Sequence, residues 1–424
     1  MTYKAYVIVA NDITPHPNAD NLNLLRYNGV QFVVSKNLTP GTTVVLFPED
    51  GQLSHEFCRE NNLYRDASLN RDILKKGFFD ENRRVRAQPF RGQKSYGFVA
   101  DLSMFDYLGK LSLSVGDEFD SLNGKKVCEK YYTPETLRRM NSVQGKKRKD
   151  VEYTLKEHYE TEKYSYNPPA VSEPSLLIVT EKVHGTSQRT GNVKVIRRMT
   201  GFLKFLYGLF GKSEQVSYEL VTGTRRTIVN GRADVTTEGQ QDYYRWEIHN
   251  KIAPLLRTGE SVYYEIVGYD SNGGTIMEKQ MLSKIQDKSK LNPAWRNPMI
   301  YSYGLPEGER GIYVYRITRT GEDGTETELP WFQVEQRVRE LGLKTVPILH
   351  KGLVNSFDDV DKVVKSLVTD SSSTLDERHL MEGVCIRIES SQGISVLKEK
   401  NYLFGVLEGY LKENKDYVDV EESS

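Results

Sequence analysis

The chain has 424 residues, which is long enough for two or three domains that each bury a core of their own. Its 58 basic and 58 acidic residues cancel, so any binding of a polyanion must come from local clusters of positive charge. Three scattered cysteines without C-x-x-C spacing argue against a disulfide framework or a zinc site. No signal peptide or membrane helix of about 18 apolar residues is recognisable. We therefore expect a protein of the reducing cytoplasm with no stable membrane association.

The first 126 residues have the pattern of a small β-barrel. Short β-rich runs alternate with turns between residues 6 and 47, which is typical of such a fold. The connecting segment P-H-P-N-A-D-N-L at residues 15–22 has two prolines that stiffen it and an Asn/Asp pair suited to a turn. This segment resembles the H-P-N-A-D-x-L segment of tRNA-binding oligonucleotide-binding (OB) domains. It either contacts nucleic acid or only fixes a corner of the barrel.

A basic and aromatic stretch follows at residues 82–98. Cations alternate there with aromatic rings, an arrangement in which the cations hold phosphates while the rings stack on bases. The alternative is an ordinary solvated strand edge. We predict a nucleic-acid-binding face formed by Arg84, Arg86, Arg91 and Lys94.

Residues 127–169 have the composition of a linker, with a basic run at 146–149 and Asn-Pro-Pro at the end. The basic run is most simply a solvated surface. A predicted insertion at about 194–217 contains an apolar run at 201–211, which is too short to span a bilayer. This run is either an interfacial anchor or a hairpin or short helix packed against its domain.

The stretch T-E-K-V-H-G-T at residues 180–186 contains the candidate nucleophile, Lys182. The apolar residues 176–179 predict a buried strand that delivers this lysine on a short turn. A lysine amine attacks phosphorus only when it is neutral, so burial or neighbouring cations must lower its pKa. Gly185 would let a phosphate-bearing ligand approach the backbone closely. Alone, the K-x-H-G pattern fits a surface strand end equally well.

Later strands carry the other candidate groups. Glu265 lies in the apolar strand 263–268, Glu382 begins the strand 382–387, and Lys398 and Lys400 end a third strand. Both acids could simply point outward, but a charge inside an apolar strand is rarely placed there without a partner. Since helices are also predicted among these strands, residues 170–424 are expected to form an α+β domain with largely antiparallel strands.

This set of groups resembles the active-site motifs of the covalent nucleotidyltransferases, the superfamily of polynucleotide ligases and mRNA capping enzymes. It consists of a lysine, two separated carboxylates and a strand with paired lysines. With histidine in K-x-H-G, the motif resembles that of the RNA ligase branch, since aspartate is usual at that position in DNA ligases and capping enzymes. Only residues 401–424 follow the last lysine strand, which is too short for a barrel, so the OB-like module stands in front. In this order the chain resembles the Deinococcus-type RNA ligase family.

The resemblance implies an ATP-dependent RNA ligase that seals 3′-OH/5′-phosphate breaks, with Mg²⁺ or Mn²⁺. Its partner would be nucleic acid, in the form of RNA in a nicked duplex or an RNA/DNA hybrid, and we expect a monomer. The resemblance implies adenylylation of Lys182 and makes Lys398 and Lys400 catalytic. The resemblance also implies that Glu382 and Glu265 bind the metal. Nucleotide binding is predicted for Glu181, His184, Gly185, Arg225, Glu265, Tyr315 and Glu382.

Two positions depart from the family pattern. Ser187 stands where asparagine is common, and Arg316 stands where aspartate is common. Tyr315 is expected to stack on the purine but also fits a core position, and Arg226 could replace Arg225 in gripping the ribose or a phosphate. Two alternative functions stay open: another covalent nucleotidyltransferase, such as a DNA ligase or guanylyltransferase, and a noncatalytic RNA-binding protein that kept the fold.

Overall fold

The computed structural model describes residues 3–28, 30–132, 151–159, 161–198, 214–282 and 291–407. The chain divides into two compact units. The N-terminal unit contains Met1–Val143, Leu282–Lys290 and Gly405–Ser424, and the second unit contains Gln144–Met281 and Leu291–Phe404. Two features of the sequence, the basic run at 146–149 and the apolar run at 201–211, lie outside the described residues. None of the helices in the described ranges has the length and apolar character needed to cross a membrane.

The N-terminal unit is built from fourteen described short strands and one described helix. They are β1 Ala5–Ala10, β2 Asp12–Pro15, β3 Leu22–Tyr27, β4 Val30–Ser35, β5 Thr42–Pro48, β6 Gly51–Leu53, α1 His55–Glu60, β7 Arg84–Val85, β8 Gln88–Phe90, β9 Gln93–Ser95, β10 Gly97–Asp101, β11 Glu118–Phe119, β12 Ser121–Leu122, β13 Lys125–Lys126 and β14 Cys128–Lys130. A four-stranded sheet has the order β10-β5-β1-β11, and two three-stranded sheets have the orders β2-β3-β4 and β14-β6-β7. The remaining strands form the hairpins β8-β9 and β12-β13.

The predicted OB-like barrel is not confirmed, because these strands lie in five separate sheets and no closed barrel forms among the described residues. One reason is visible beside β4. The Val33 N–H donates to the Ser95 hydroxyl at 3.0 Å, and this hydroxyl donates to the Gly97 carbonyl at 3.1 Å. A side chain thus takes the place of a backbone ladder partner, and the continuous strand pairing of a barrel is interrupted.

The second unit carries the remaining described elements. They are β15 Val151–Tyr153, β16 Glu162–Lys163, β17 Ser175–Glu181, β18 Thr186–Arg198, β19 Glu214–Thr224, α2 Ala233–Thr236, α3 Tyr244–Ile252, β20 Glu260–Gly268, β21 Arg310–Thr320, β22 Glu326–Glu328, α4 Trp331–Glu340, β23 Lys344–Thr345, β24 Ile348–Val354, α5 Phe357–Leu367, β25 Gly383–Ser390 and β26 Gly393–Lys400, while α6 Tyr402–Leu407 spans the boundary between the units. A five-stranded sheet has the order β16-β26-β25-β17-β24. A seven-stranded sheet has the order β15-β18-β20-β21-β22, with β19 paired to β18 and β23 paired to β21.

The α+β class and the antiparallel character are confirmed, since among the described strand pairs only β16 with β26 and β21 with β23 are parallel. The apolar run of β17 makes it a central strand between β25 and β24, and Leu177, Ile178 and Val179 are fully buried there. Helix α5 begins at a capping box of Ser356 and Asp359 and buries Val360 and Val364 in the same core.

Two predicted boundaries differ from the observed elements. Within residues 127–169, expected to be a linker, the strands β14, β15 and β16 are paired into sheets. Both ends of the predicted insertion at 194–217 belong to the long β18–β19 hairpin, whose register runs to Arg198 opposite Glu214. Polar and charged residues occupy these edge strands, and their composition therefore does not distinguish a strand from a linker.

Candidate active site

The turn at residues 182–185 connects the two sheets of the second unit. Strand β17 ends at Glu181 in the five-stranded sheet, and β18 begins at Thr186 in the seven-stranded sheet. The Lys182 N–H donates to the Gly383 carbonyl at 2.9 Å, which fixes the start of the turn. Lys182 therefore stands at the point where the chain leaves a buried strand, as its sequence predicted.

The Glu382 carboxylate joins the charged groups of the site. Its Oε1 atom is 2.7 Å from Lys182 Nζ and 2.9 Å from Lys400 Nζ. Its Oε2 atom is 3.3 Å from His184 Nδ1. The carboxylate side chain is only 3% exposed, while that of Lys182 is 27% exposed. One buried acid thus organises three of the residues that the sequence analysis selected.

The electrostatics of Lys182 differ from the sequence-based expectation. Burial lowers the pKa of its amine, and Lys400 lowers it further, but the Glu382 carboxylate opposes both and the net pKa is raised above 10.5. Burial raises the pKa of Glu382, yet Lys182 and Lys400 outweigh it and hold that pKa well below its usual range. Because each group stabilises the charged form of the other, Lys182 is an ammonium in the free protein.

His184 is a positioning residue in this arrangement. Its ring is buried against Tyr301 and Phe404, with centroid distances of 4.8 and 4.9 Å. Its Nε2 atom is 3.3 Å from the Gln280 side-chain amide, and its backbone N–H donates to the Tyr303 hydroxyl at 2.7 Å. In the structure His184 therefore holds the Glu382 carboxylate in position. The nucleotide binding that the sequence analysis assigned to His184 stays a prediction.

Glu181 is held by neighbouring side chains. Its carboxylate accepts hydrogen bonds from the Ser373 hydroxyl and from the Thr374 N–H and hydroxyl, the last two at 2.9 and 2.6 Å. The side chain is 1% exposed. These contacts tie the end of β17 to the loop that precedes β25, so they give Glu181 a structural role.

Gly185 allows the seven-stranded sheet to approach the turn. A Cβ atom at this position would lie 2.4 Å from the Ile266 carbonyl oxygen and 3.0 Å from Glu265 Cγ. The predicted close approach is therefore made by strand β20. On that strand Glu265 accepts a hydrogen bond from the Ser187 hydroxyl at 2.8 Å. Burial and the nearby Glu382 raise the pKa of Glu265, and Lys182 and Ser187 only partly offset this.

Tyr315 lies at a β-bulge. In the pairing of β20 with β21, Tyr263 is opposite Arg316 and Tyr264 is opposite Val314, so Tyr315 is the extra residue. Bulges of this kind redirect a side chain and are frequent beside active sites. Burial and the nearby Glu265 raise the pKa of the Tyr315 hydroxyl. Its half-buried ring makes an edge contact with the His158 ring at 5.1 Å.

Two residues of this region were missed from the sequence. Burial and the surrounding cations lower the pKa of His158 to about 3, so its ring is neutral beside Tyr315. Arg189 is buried in β18 and donates from Nη1 to the Arg225 carbonyl at 2.9 Å. His158 lies in the stretch expected to be a linker, where no sequence motif or periodic pattern marks it. Arg189 could have been found as a charge in a strand interior, seven residues after Lys182.

Arg225, Lys398 and Lys400 complete the set predicted for this unit. Arg225 is exposed just after β19, and both Arg225 and Lys398 are close enough to lower the pKa of His158. Lys398 and Lys400 are two residues apart in β26, so they share one face of the strand, opposite Cys385 and Gly383. The structure thus brings both lysines to the side of the sheet where Lys182 and Glu382 lie.

The four residues predicted to bind nucleic acid belong to the N-terminal unit. Arg84 is largely buried, since it pairs with Asp50 at 3.1 Å and its guanidinium lies 4.4 Å from the centre of the Tyr131 ring. Arg91 and Gly92 have positive φ angles of 42° and 84° and form the two-residue turn of the β8–β9 hairpin. Lys94 lies in β9, and Arg86 follows β7.

The acids of the second unit fit a weakly held divalent cation. In the described ranges no group of three or more His, Cys, Asp or Glu residues forms a complete ligand set. Mg²⁺, however, is usually bound by one or two carboxylates together with substrate phosphates and water. Glu382 and Glu265 supply such a pair, and the Glu382 carboxylate is close enough to raise the pKa of Glu265.

We predict that Gly185→Ala lowers the free energy of unfolding by about 1–3 kcal/mol, because the new methyl group overlaps the β20 backbone. Gly352→Ala is the matched control, since its Cβ would meet only the flexible His350 side chain. Chemical denaturation of both variants measures the difference. Equal stability of the two variants would contradict the close packing of β20 on the turn.

Comparison with known proteins places this site in a family. A family model described as RNA ligase matches residues 175–400, from the first residue of β17 to the last residue of β26. The search of curated proteins gives no significant match.

Solved structures of Naegleria gruberi RNA ligase share the fold. The structure with pyrophosphate is 16% identical in sequence, covers 94% of this chain and 96% of its own, and has a TM-score of 0.59. A variant with ATP and manganese is 16% identical, with coverages of 95% and 98% and a TM-score of 0.60. A variant with AMP and manganese is 15% identical, with the same coverages and a TM-score of 0.58. Since the family model covers more than half of the 424 residues, among them Lys182, Glu382 and Lys400, the chain belongs to the RNA ligase family.

Proposed function

We propose that the chain is an ATP-dependent RNA ligase that joins a 3′-OH end to a 5′-phosphate end through an adenylylated Lys182. The observation that carries this proposal is the position of Lys182 Nζ, 2.7 Å from Glu382 and beside Lys400 at the joint between two sheets. Naegleria RNA ligase has been solved with ATP and manganese, with AMP and manganese, and with pyrophosphate, which are the ligands that such a reaction uses and releases. We infer the same ligands for this chain.

In the proposed first step the neutral amine of Lys182 attacks the α-phosphorus of ATP. The new N–P bond replaces the bond between the α-phosphorus and the oxygen that bridges to the β-phosphate, and pyrophosphate leaves. The nitrogen, which becomes positively charged on attack, releases one proton to solvent. Lys398 and Lys400 would stabilise the negative charge on the phosphates. A divalent cation held by Glu382 and Glu265 would add charge neutralisation at the same place.

The ion pair between Lys182 and Glu382 would keep the lysine unreactive until the nucleotide binds. Glu382 keeps the amine protonated in the free protein. Any group that draws this carboxylate away leaves burial and Lys400 as the dominant influences, and both lower the pKa of Lys182. We infer that binding of the substrates thereby activates the nucleophile.

In the second and third steps the adenylate moves to the end of an RNA strand. A 5′-phosphate oxygen attacks the phosphorus of the lysyl adenylate and frees Lys182, and a 3′-OH then attacks the 5′-phosphate and expels AMP. Both steps need the two RNA ends in line, which a nicked duplex provides without further ordering. We therefore propose nicked duplex RNA or an RNA/DNA hybrid as the substrate, as the resemblance to Deinococcus-type ligases implies.

Other parts of the site have proposed roles in nucleotide binding. Tyr315, redirected by the bulge, is suited to stack on adenine, and Arg225 to grip the ribose or a phosphate. We also propose that the enzyme acts as a monomer in the cytoplasm. In the described residues the three cysteines are unpaired thiols, as a reducing compartment favours.

We predict that incubation with ATP and Mg²⁺ adds the mass of one adenylate to the protein, and that Lys182→Met abolishes this addition. Lys351→Met is the matched control, because Lys351 is exposed and forms a surface ion pair with Glu335. Intact-protein mass spectrometry followed by peptide mapping checks the modified residue. Labelling by GTP in place of ATP would favour a guanylyltransferase, and no labelling by either would favour a noncatalytic protein.

We predict that kcat/KM for adenylylation rises with pH by about tenfold per unit between about pH 7 and pH 9, because it reports the free enzyme. The sign follows from the raised pKa of Lys182, whose reactive neutral form grows until the pH passes that pKa. Initial rates at subsaturating ATP measure the slope, and circular dichroism over the same range controls for unfolding. A plateau below pH 8 would contradict a raised pKa in the free enzyme.

A further inference from the structure

A cavity of about 380 Å³ lies within the N-terminal unit, and the activity proposed for Lys182 does not use it. Its volume is in the lower part of the range of about 300–1,000 Å³ that is typical of ligand pockets. Its walls come from the two stretches that the sequence analysis selected in this unit. Asn21 and Leu22 belong to the segment 15–22, and Arg86, Phe90 and Phe98 belong to the basic and aromatic stretch 82–98.

The apolar side of the cavity is formed by phenylalanine rings. The Phe78 ring centroid is 4.6 Å from that of Phe79 and 5.6 Å from that of Phe98. Phe79 meets Phe98 edge-on at 5.4 Å. Phe79 is buried, whereas Phe78 and Phe98 are only half-buried, so they retain ring surface that faces the cavity. Such a surface favours a planar aromatic ligand.

The polar side of the cavity provides a cation. Arg86 is half-buried, and within the described ranges no hydrogen bond or ion pair engages its guanidinium. Burial and the nearby Arg84 lower the pKa of Arg86, and the Asp80 carboxylate offsets this only in part. Asp80 also lines the cavity but pairs with Arg65 at 3.0 Å. An anionic group next to Arg86 would therefore be stabilised.

The segment 15–22 holds this wall in place. Its buried His16 ring is 3.0 Å from the Phe90 carbonyl, and the Asn18 side-chain amide donates to the Arg91 carbonyl at 2.9 Å. The two motifs are thus joined, and the proline-stiffened segment fixes the β8–β9 hairpin that borders the cavity. Arg91 and Lys94 lie on this hairpin and do not line the cavity. They add positive charge outside the space that one base would occupy.

We propose that this cavity binds one unstacked nucleotide of the RNA substrate, with the base against Phe78 and Phe98 and the adjoining phosphate at Arg86. The proposal rests on the proposed function for the identity of the strand. The rings accept any base, since every base has a face that stacks, and Asn37 and Gln88 also line the cavity. Arg91 and Lys94 would hold the phosphates that follow, which makes a strand a better ligand than a free mononucleotide.

The test uses the full chain and a fluorescent 5′-phosphorylated RNA oligonucleotide in which an abasic nucleotide replaces each position in turn. For the wild type we expect one position, or two neighbouring positions, at which the abasic nucleotide weakens binding by about 5-fold or more in fluorescence anisotropy. Phe78→Ala should weaken binding of the intact strand and lose the dependence on that position. Arg86→Gln should weaken binding of intact and abasic strands alike.

The controls separate this proposal from the proposed function. Arg71→Gln removes an exposed arginine of the same unit that pairs with Glu60 and does not line the cavity, and it should bind like the wild type. Phe78→Tyr keeps the ring and should restore the position dependence if Phe78→Ala is destabilised. Adenylylation of Lys182 should be unchanged in every variant, so its failure in the wild type would count against the proposed function alone.

Three results would overturn the cavity proposal. The first is binding by the wild type that no abasic position affects. The second is a Phe78→Ala variant with wild-type affinity and position dependence. The third is displacement of the oligonucleotide by free AMP, at concentrations near the affinity of the strand, in the wild type but not in Phe78→Ala, which would make the cavity a mononucleotide site.

Discussion

A single buried carboxylate, Glu382, determines the arrangement of the candidate active site. It contacts two lysines and a histidine, and it is almost wholly removed from water. A buried acid with a charge is stable only when cations and hydrogen bonds compensate it, so Lys182, Lys400 and His184 are held by the same requirement. The position of the Lys182 amine thus follows from the need to neutralise this acid.

The rest of the second unit supports that contact. Strand β17 carries Lys182 out of a buried sheet, and β25 and β26 bring Glu382 and Lys400 to the same face. Gly185 lets β20 pack on the turn, which places Glu265 near the lysine. The bulge in β21 then turns Tyr315 toward this region. These are all backbone features, and together they bring Glu382, Lys400 and Glu265 near Lys182 and Tyr315 near Glu265.

Much of the fold could be predicted because its signals are local. The apolar run of β17, the alternation in β21 and the spacing of apolar residues in α5 all follow from burial on one or both faces. The order of Lys182, Glu265, Glu382 and the β26 lysines also predicted the RNA ligase family, which is confirmed, whereas the Deinococcus type is not confirmed. The OB-like barrel was not confirmed, because closure of a barrel depends on pairing between distant strands.

The pairing of side chains could not be predicted in the same way. The sequence correctly placed Lys182 in a turn after a buried strand but gave the wrong direction for its pKa in the free protein, since the balance between burial and Glu382 depends on a distance of 2.7 Å. His184 and Glu181 make contacts that brace the turn, which the sequence did not show, and their predicted role in nucleotide binding stays a prediction. His158 was missed because the polar stretch around it has no periodic pattern.

The central claim is that Glu382 keeps the Lys182 amine protonated in the free enzyme. The most direct test is an NMR pH titration of lysines labelled at Cε, in the wild type and in Glu382→Gln, with Lys182→Met to assign the signal. Our account predicts a Lys182 pKa above 10.5 in the wild type and a lower value in Glu382→Gln, where burial and Lys400 act without the carboxylate. A pKa that is unchanged or higher in Glu382→Gln would contradict it.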